Sequence, residues 1–171
     1  MLTLRGETPE DIPAIHHINT AAFGRPNAVD WVDALRQNNA LTISLVVVQD
    51  GRLVGHIAFS PVTITSRTGT IAALGLAPMA VLPVYQRRGM GSQLVAAGLT
   101  ACHNTPYGIV VVLGHPHYYP RFGFVPAKPL GIVWEHDATE EAFMVKEIQK
   151  GAFAHTRGVV KYRPEFAVVS L

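Results

Sequence analysis

With 171 residues and a mass of 18.5 kDa, the chain is long enough for one globular domain with a real core and short for two, so a single domain over residues 1–171 is expected. Apolar residues make up 49% and charged ones 15%, and 15 glycines with 12 prolines stay well below the roughly 25–30% that marks a disordered chain. A net charge of +2 without long basic runs excludes a nucleic-acid surface built on bulk charge, and a single cysteine, Cys102, excludes an intramolecular disulfide and a cysteine-only metal site.

Along the chain, Thr8-Pro9-Glu10-Asp11 starts a helix: Thr8 suits the cap, Pro9 the first helical position, and the acids complement the positive end of the dipole. Ile12, Ile15, Ile18, Ala22 and Phe23 follow at helical spacing as far as Gly24. Asn27 caps a second short helix through Val29, Val32 and Leu35, ending at Gln37-Asn38-Asn39, so two helices precede the first long strand. Leu41 to Gln49 and Arg52 to Ser60 are strands joined by the hairpin signal Asp50-Gly51. Thr63 to Thr70 is rich in Thr, Ser and Gly and reads as a short strand or loop at the rim. Leu74 to Leu82, closed by Pro83, is a central strand; Gly89 to Cys102 is a helix with Leu94, Val95, Gly98 and Leu99 on one face. Ile109 to Leu113 is a buried strand, Pro116 to Arg121 one helical turn before Gly123-Phe124, and Phe143 to Ile148 and Val159 to Tyr162 are further strands. The alternation predicts an α/β protein with a mixed sheet surrounded by helices, and a mean hydropathy of +0.23 fits strands buried on both faces. The first twelve residues carry acids and a proline where a secretion signal needs an apolar run, and no long apolar span follows, so a cytoplasmic protein that neither crosses nor binds a membrane is expected.

The segment Met79-Ala80-Val81-Leu82-Pro83-Val84-Tyr85-Gln86-Arg87-Arg88-Gly89-Met90-Gly91-Ser92 carries the chemistry. A buried strand runs into a loop with two arginines and two glycines, and that loop opens a helix whose first N–H groups lack intrahelical partners and lie at the positive end of the dipole. Such a loop suits phosphate. Gly89 and Gly91 keep Cβ atoms out of the way, and Arg87 and Arg88 add positive charge. The pattern is neither a Walker loop nor the glycine fingerprint of dinucleotide folds.

Gln86-Arg87-Arg88-Gly89-Met90-Gly91 resembles the pyrophosphate motif Gln/Arg-x-x-Gly-x-Gly/Ala of the GNAT acetyltransferase superfamily. Gly55-His56-Ile57-x-Phe59-Ser60-Pro61-Val62, Leu74-Gly75-Leu76-x-Pro78 and Tyr118-Tyr119-x-Arg121-Phe122-Gly123-Phe124 are similar to its YhbS-like bacterial branch. The resemblance implies a GNAT fold, with a mostly antiparallel central sheet splayed where acetyl-CoA inserts. It also implies direct acetyl transfer to a primary amine, without a covalent enzyme intermediate. Backbone amides from Arg87 to Ser92, including Met90, would cradle the pyrophosphate. Main-chain groups of Met79, Ala80 and Val81 would bind the pantetheine amides and polarise the thioester carbonyl as the amine attacks.

The same resemblance puts Tyr119 where a tyrosine commonly protonates the departing thiolate, and an unperturbed phenol, with pKa near 10, holds its proton at neutral pH. Many relatives carry an Asn after the next strand, where this chain has Gly114-His115-Pro116-His117. No acid lies between Gly51 and Glu135, so the family's frequent central-strand Glu is absent. That leaves His56, His115 and His117, or a water chain, as routes for the proton leaving the amine. His115-x-His117 lacks the Cys or carboxylate that would complete a metal site, so no metal is expected, and Cys102 reads as buried filler or an inert surface thiol rather than a nucleophile. The partners expected are acetyl-CoA and a small or protein amine, on a monomer or homodimer. The rival reading is an acyl-CoA sensor with this fold and no turnover.

Overall fold

The computed structural model describes residues 1–24 and 27–166. The chain forms two compact units: Met1–Ser60, Ala77–Ala101 and the segment from Pro164 make one, Pro61–Leu76 and Cys102–Arg163 the other.

In the first unit, β1 (Leu2–Gly6) pairs antiparallel with β2 (Ile43–Gln49), which pairs antiparallel with the start of β3 (Arg52–Ser66). β4 (Gly69–Val81) follows β3 in strand order, and the N–H of Leu82 donates to the Val54 carbonyl. Val46 lies opposite His56, so these two share a sheet face, and Ile15, Val32 and Val46 form a buried cluster there. Ile15 belongs to α1 (Ile12–Phe23) and Val32 to α2 (Asn27–Gln37). The cap expected at Asn27 and the side chain of Val29 lie outside the described residues. Pro9–Asp11 forms one turn of 3-10 helix before α1. Its Asp11 carboxylate accepts from the Thr8 N–H and from Nη1 and Nη2 of Arg5, and Arg5 is the main reason its pKa drops to about 2. The opposite sheet face meets α3 (Met90–Cys102). There Gly98 has no side chain to obstruct the Phe59 ring: a Cβ would stand 2.4 Å from Phe59 Cε1.

In the second unit, β3 and β4 form a long hairpin whose turn is Arg67-Thr68, and β4 pairs parallel with β5 (Ile109–Leu113) through Leu74↔Val110 and Gly75↔Val111. β5 pairs antiparallel with β8 (Phe143–Glu147), which also takes the short β6 (Val125–Pro126). β9 (Gly158–Lys161) pairs antiparallel with β3 and parallel with β7 (Ile132–Trp134). Val62, Ile64, Ala73, Ile109, Val111, Phe143, Val145 and Val160 are the centre of this unit's core.

The mixed, mostly antiparallel sheet is as the sequence predicts, but four details differ. The sequence pattern does not predict β1: Leu2 to Gly6 is mostly exposed, so its pairing is held by backbone bonds rather than by an apolar face. Thr63 to Thr70 is the end of a hairpin of two long strands, where β-branched threonines extend the ladder beyond the apolar run. The helical turn predicted over Pro116 to Arg121 falls on Tyr119–Phe122 and is closed by Gly123 at φ 93°. β6 and β7, of two and three residues, are too short to show a period.

Candidate active site

The phosphate-type loop begins at the end of β4. Pro83–Tyr85 makes one 3-10 turn, with the Tyr85 N–H donating to the Leu82 carbonyl at 2.8 Å. The Gln86 side-chain amide then donates to the Val81 carbonyl at 2.9 Å, fastening the loop to the strand it leaves. Arg87 and Gly89 both adopt left-handed backbone, at φ 63° and 82°. Alternation of this kind turns successive N–H groups towards one side and makes an anion-binding concavity. α3 starts at the next residue, with the Gln93 N–H bonded to the Gly89 carbonyl at 3.0 Å. Residues 86–89 are exposed, and a Cβ built on Gly89 meets nothing within 4 Å, so the cradle is open. Among the described residues, neither Arg87 nor Arg88 is paired with a carboxylate. Chain, charge and space thus fit a pyrophosphate. Upstream, the parallel ladder of β4 with β5 has its last pair at Gly75, and Met79, Ala80 and Val81 lie on β4 beyond it.

His56 sits in a closed polar network of the same unit. It is fully buried, and its Nδ1 faces the Asn19 amide nitrogen at 3.3 Å. That nitrogen also donates to the Ile15 carbonyl, so Nδ1 accepts and the ring proton resides on Nε2. Nε2 lies 2.8 Å from Ser44 Oγ, which in turn donates to the Glu7 carboxylate. Arg36 grips Glu7 with Nε and Nη2 at 2.9 and 3.0 Å and places Nη1 3.0 Å from Asp33. Burial lowers the His56 pKa to about 4; the Arg36 charge pushes the same way and the Glu7 charge opposes. Burial raises Glu7, but hydrogen bonds from Arg36 and Ser44 and the nearby positive charge outweigh it, so its pKa falls below the usual carboxylate value. His56 is therefore neutral at pH 7, while Glu7 is ionised and faces an open cavity of about 380 Å³ that Arg36, Asn39 and Ser44 also line.

Tyr119 belongs to the second unit. Its ring lies against the bare backbone of Gly114, where a Cβ would stand 2.4 Å from Cε2, and meets Tyr118 and Phe124 edge-on at 5.1 and 5.7 Å. Burial, with a smaller contribution from Tyr118, raises its pKa to about 12, so the phenol keeps its proton across the neutral range. His115 and His117 are exposed, and the His115 carbonyl accepts from the Tyr118 N–H at 3.1 Å.

Of the residues singled out from sequence, the structure puts Gln86 to Gly89 in one loop and Met90 to Ser92 in the first turn of α3, with Met79 to Val81 on the strand feeding them. His56 is enclosed, whereas His115 is open to solvent. Glu7 and Tyr162 escape a reading of the sequence. Glu7 reaches within 4.0 Å of His56 Nε2 from the far end of β1, and only its place opposite an Arg on a helix two elements later hints at it. Tyr162 packs its ring beside Gly75, where a Cβ would be 3.1 Å from Cε2, and burial raises its pKa; nothing in its neighbours marks it. Cys102 is buried, and burial lifts its thiol to about 12, which leaves it unreactive. Among the described residues no three His, Cys, Asp or Glu side chains come together, and no helix is long and apolar enough to cross a membrane.

Residues 3–127 match the family model of the acetyltransferase (GNAT) domain. The chain is 34% identical over 166 residues to the uncharacterized N-acetyltransferase YhbS of Escherichia coli K12, covering 96% of this chain and 98% of that one. It superposes on the crystal structure of Escherichia coli YhbS in complex with CoA with a TM-score of 0.90 at 34% identity, over 97% of this chain and 92% of the other. A GNAT family acetyltransferase from Brucella melitensis in complex with acetyl-CoA gives a TM-score of 0.79 at 33% identity, over 97% and 98%.

Proposed function

The chain belongs to the GNAT acetyltransferase family, and we propose that it transfers an acetyl group from acetyl-CoA to a primary amine by direct attack. The observation that carries this reading is the open segment Gln86–Ser92: left-handed backbone at Arg87 and Gly89, two exposed arginines without a carboxylate partner among the described residues, and the start of α3, all on one short stretch. Two solved relatives that align over nearly the whole chain hold CoA and acetyl-CoA, which supports the same donor here.

In this proposal, backbone N–H groups of Arg87 to Ser92 bind the pyrophosphate, while Gln86 keeps the loop tied to Val81. Main-chain groups of Met79 to Val81, on β4 past the parallel ladder, hold the pantetheine arm and polarise the thioester carbonyl. Acetyl-CoA supplies the activated acyl group and a thiolate leaving group. Tyr119, protonated throughout the neutral range, donates its proton to that thiolate. The proton leaving the amine goes to His115, His117 or a water chain: both histidines are exposed and can meet a substrate or a water directly, whereas His56 has no free acceptor, since Nδ1 accepts from Asn19 and Nε2 carries the ring proton.

Calorimetric titration of the pure protein with acetyl-CoA, followed by CoA-release assays across a panel of small amines and peptide amines, tests the reading. Saturable binding together with amine-dependent thiol release is expected. No binding at millimolar acetyl-CoA would sink it. Binding with no release above buffer hydrolysis for every amine would turn the protein into an acyl-CoA sensor.

A further inference from the structure

Beside the phosphate loop stands a second group of charges that the loop motif does not include. The Tyr85 ring carries two guanidinium groups, Arg88 with Cζ 5.5 Å from its centroid and Arg52 with Cζ 5.9 Å. Arg88 comes from the loop, but Arg52 comes from the first residue of β3, brought there by the bond from the Leu82 N–H to the Val54 carbonyl. Both arginines are exposed, and among the described residues neither is paired with a carboxylate. The nearest acid in sequence, Asp50, is engaged by the Met1 ammonium.

Two like charges collected on one ring repel each other. The ring's quadrupole offsets part of that repulsion and fixes where the two planar forks lie. An anion that accepts from both removes the rest. The pyrophosphate is already served by the backbone amides of the loop, so the anion left for this pair is a further phosphate of the same ligand. CoA carries one: the 3′-phosphomonoester on its ribose, close to a dianion at neutral pH, with three terminal oxygens matched to guanidinium forks.

We propose that Arg52 and Arg88, held by Tyr85, form a second anion subsite that takes the 3′-phosphate of CoA and lets the protein distinguish CoA from dephospho-CoA. The subsite rests on the acetyl-CoA reading above.

Calorimetry with CoA and with dephospho-CoA, which differ only in that phosphate, tests it on the full chain. CoA is expected to bind roughly tenfold tighter, the scale of a charge-assisted contact at a solvent-open site, and the gap narrows in high salt. Arg52→Ala weakens CoA alone and closes most of the gap, and Arg52→Lys retains part of it. Arg52 is exposed, so the variant folds, as thermal melting verifies. Equal affinity of the wild type for the two ligands overturns the subsite, as does an Arg52→Ala variant that keeps the gap or loses both affinities equally. Failure of the wild type to bind either ligand overturns the acetyl-CoA reading and the subsite together.

Discussion

The loop at Gln86–Ser92 and the network around His56 lie in the same compact unit and are both dense in polar groups, yet they treat those groups in opposite ways. In the network the charged groups and the ring are all answered: Arg36 holds Glu7 and Asp33, Glu7 takes the Ser44 hydroxyl, Ser44 meets His56, and His56 meets the Asn19 amide nitrogen, with Asn19 Oδ1 alone in this chain of bonds buried without a partner among the described residues. In the loop the arginines have no carboxylate among the described residues, two residues adopt left-handed backbone, and a Cβ on Gly89 would meet no described atom within 4 Å. Polarity satisfied internally fixes how α1, α2 and the sheet meet. Polarity left open is available to a ligand. The contrast separates His56, which the fold uses, from Arg87 and Arg88, which the fold does not need.

The largest expected effect falls on the open side. Gly89→Glu puts bulk and negative charge where the pyrophosphate would lie, and acetyl-CoA affinity should drop roughly a hundredfold or more. Stability should change far less, by about 1–2 kcal/mol, because Gly89 is exposed and the main cost is a side chain at φ 82°. Calorimetry and urea unfolding on the same variant check both halves. Unfolding with normal affinity would place Gly89 among structural residues and break the comparison.

Tyr119 sharpens it, because it is enclosed as His56 is but surrounded by rings and the bare Gly114 backbone. If its hydroxyl serves substrate rather than fold, Tyr119→Phe lowers turnover roughly tenfold to a hundredfold, the scale of general-acid loss. Acetyl-CoA affinity and the melting temperature should stay near wild type. Steady-state rates read beside a thermal melt decide. Intact turnover with a lowered melting temperature would move Tyr119 to the structural side.

How far each region can be read from sequence follows the same line. The loop is legible because everything it needs is consecutive: the strand, the Gln-x-x-Gly-x-Gly spacing and the apolar face of α3 all fall between Met79 and Leu99. The network is not, because Asn19, Arg36, Ser44 and His56 come from four elements and Glu7 from the residue after β1, and only folding unites them. His56 stands out in sequence as an ordinary histidine able to titrate near neutrality; burial beside Asn19 and Ser44 makes it a neutral hydrogen-bonding post. β1 is missed for a related reason, since an exposed strand is defined by its partner Leu45–Gln49 rather than by its own pattern. The central strand, the Asp50-Gly51 hairpin and β5 are read correctly because their apolar runs and turn residues are local.

The last predicted effect, spread over two pH units, is the most particular to His56. The unfolded chain takes up a proton on this ring near pH 6.5, whereas the folded protein does so only near pH 4. Above 6.5 neither state is protonated and folding is unaffected. As pH falls below 6.5 the unfolded state gains protons first, so the folded state loses relative stability until pH 4 is passed. Between pH 7 and 5 this amounts to about 2 kcal/mol, and Glu7, whose pKa is also lowered, adds a loss in the same direction only at more acid pH. Urea unfolding at pH 7, 6 and 5 should show the decline in wild type and a flatter profile in His56→Gln, which starts from lower stability. Over the same range the folded protein's affinity for dephospho-CoA should stay level, because the loop makes no bond to the His56 network. A wild type whose unfolding is flat from pH 7 to 5, or an affinity that falls with it, would mean that the closed network and the open loop are not the separate devices their bonding describes.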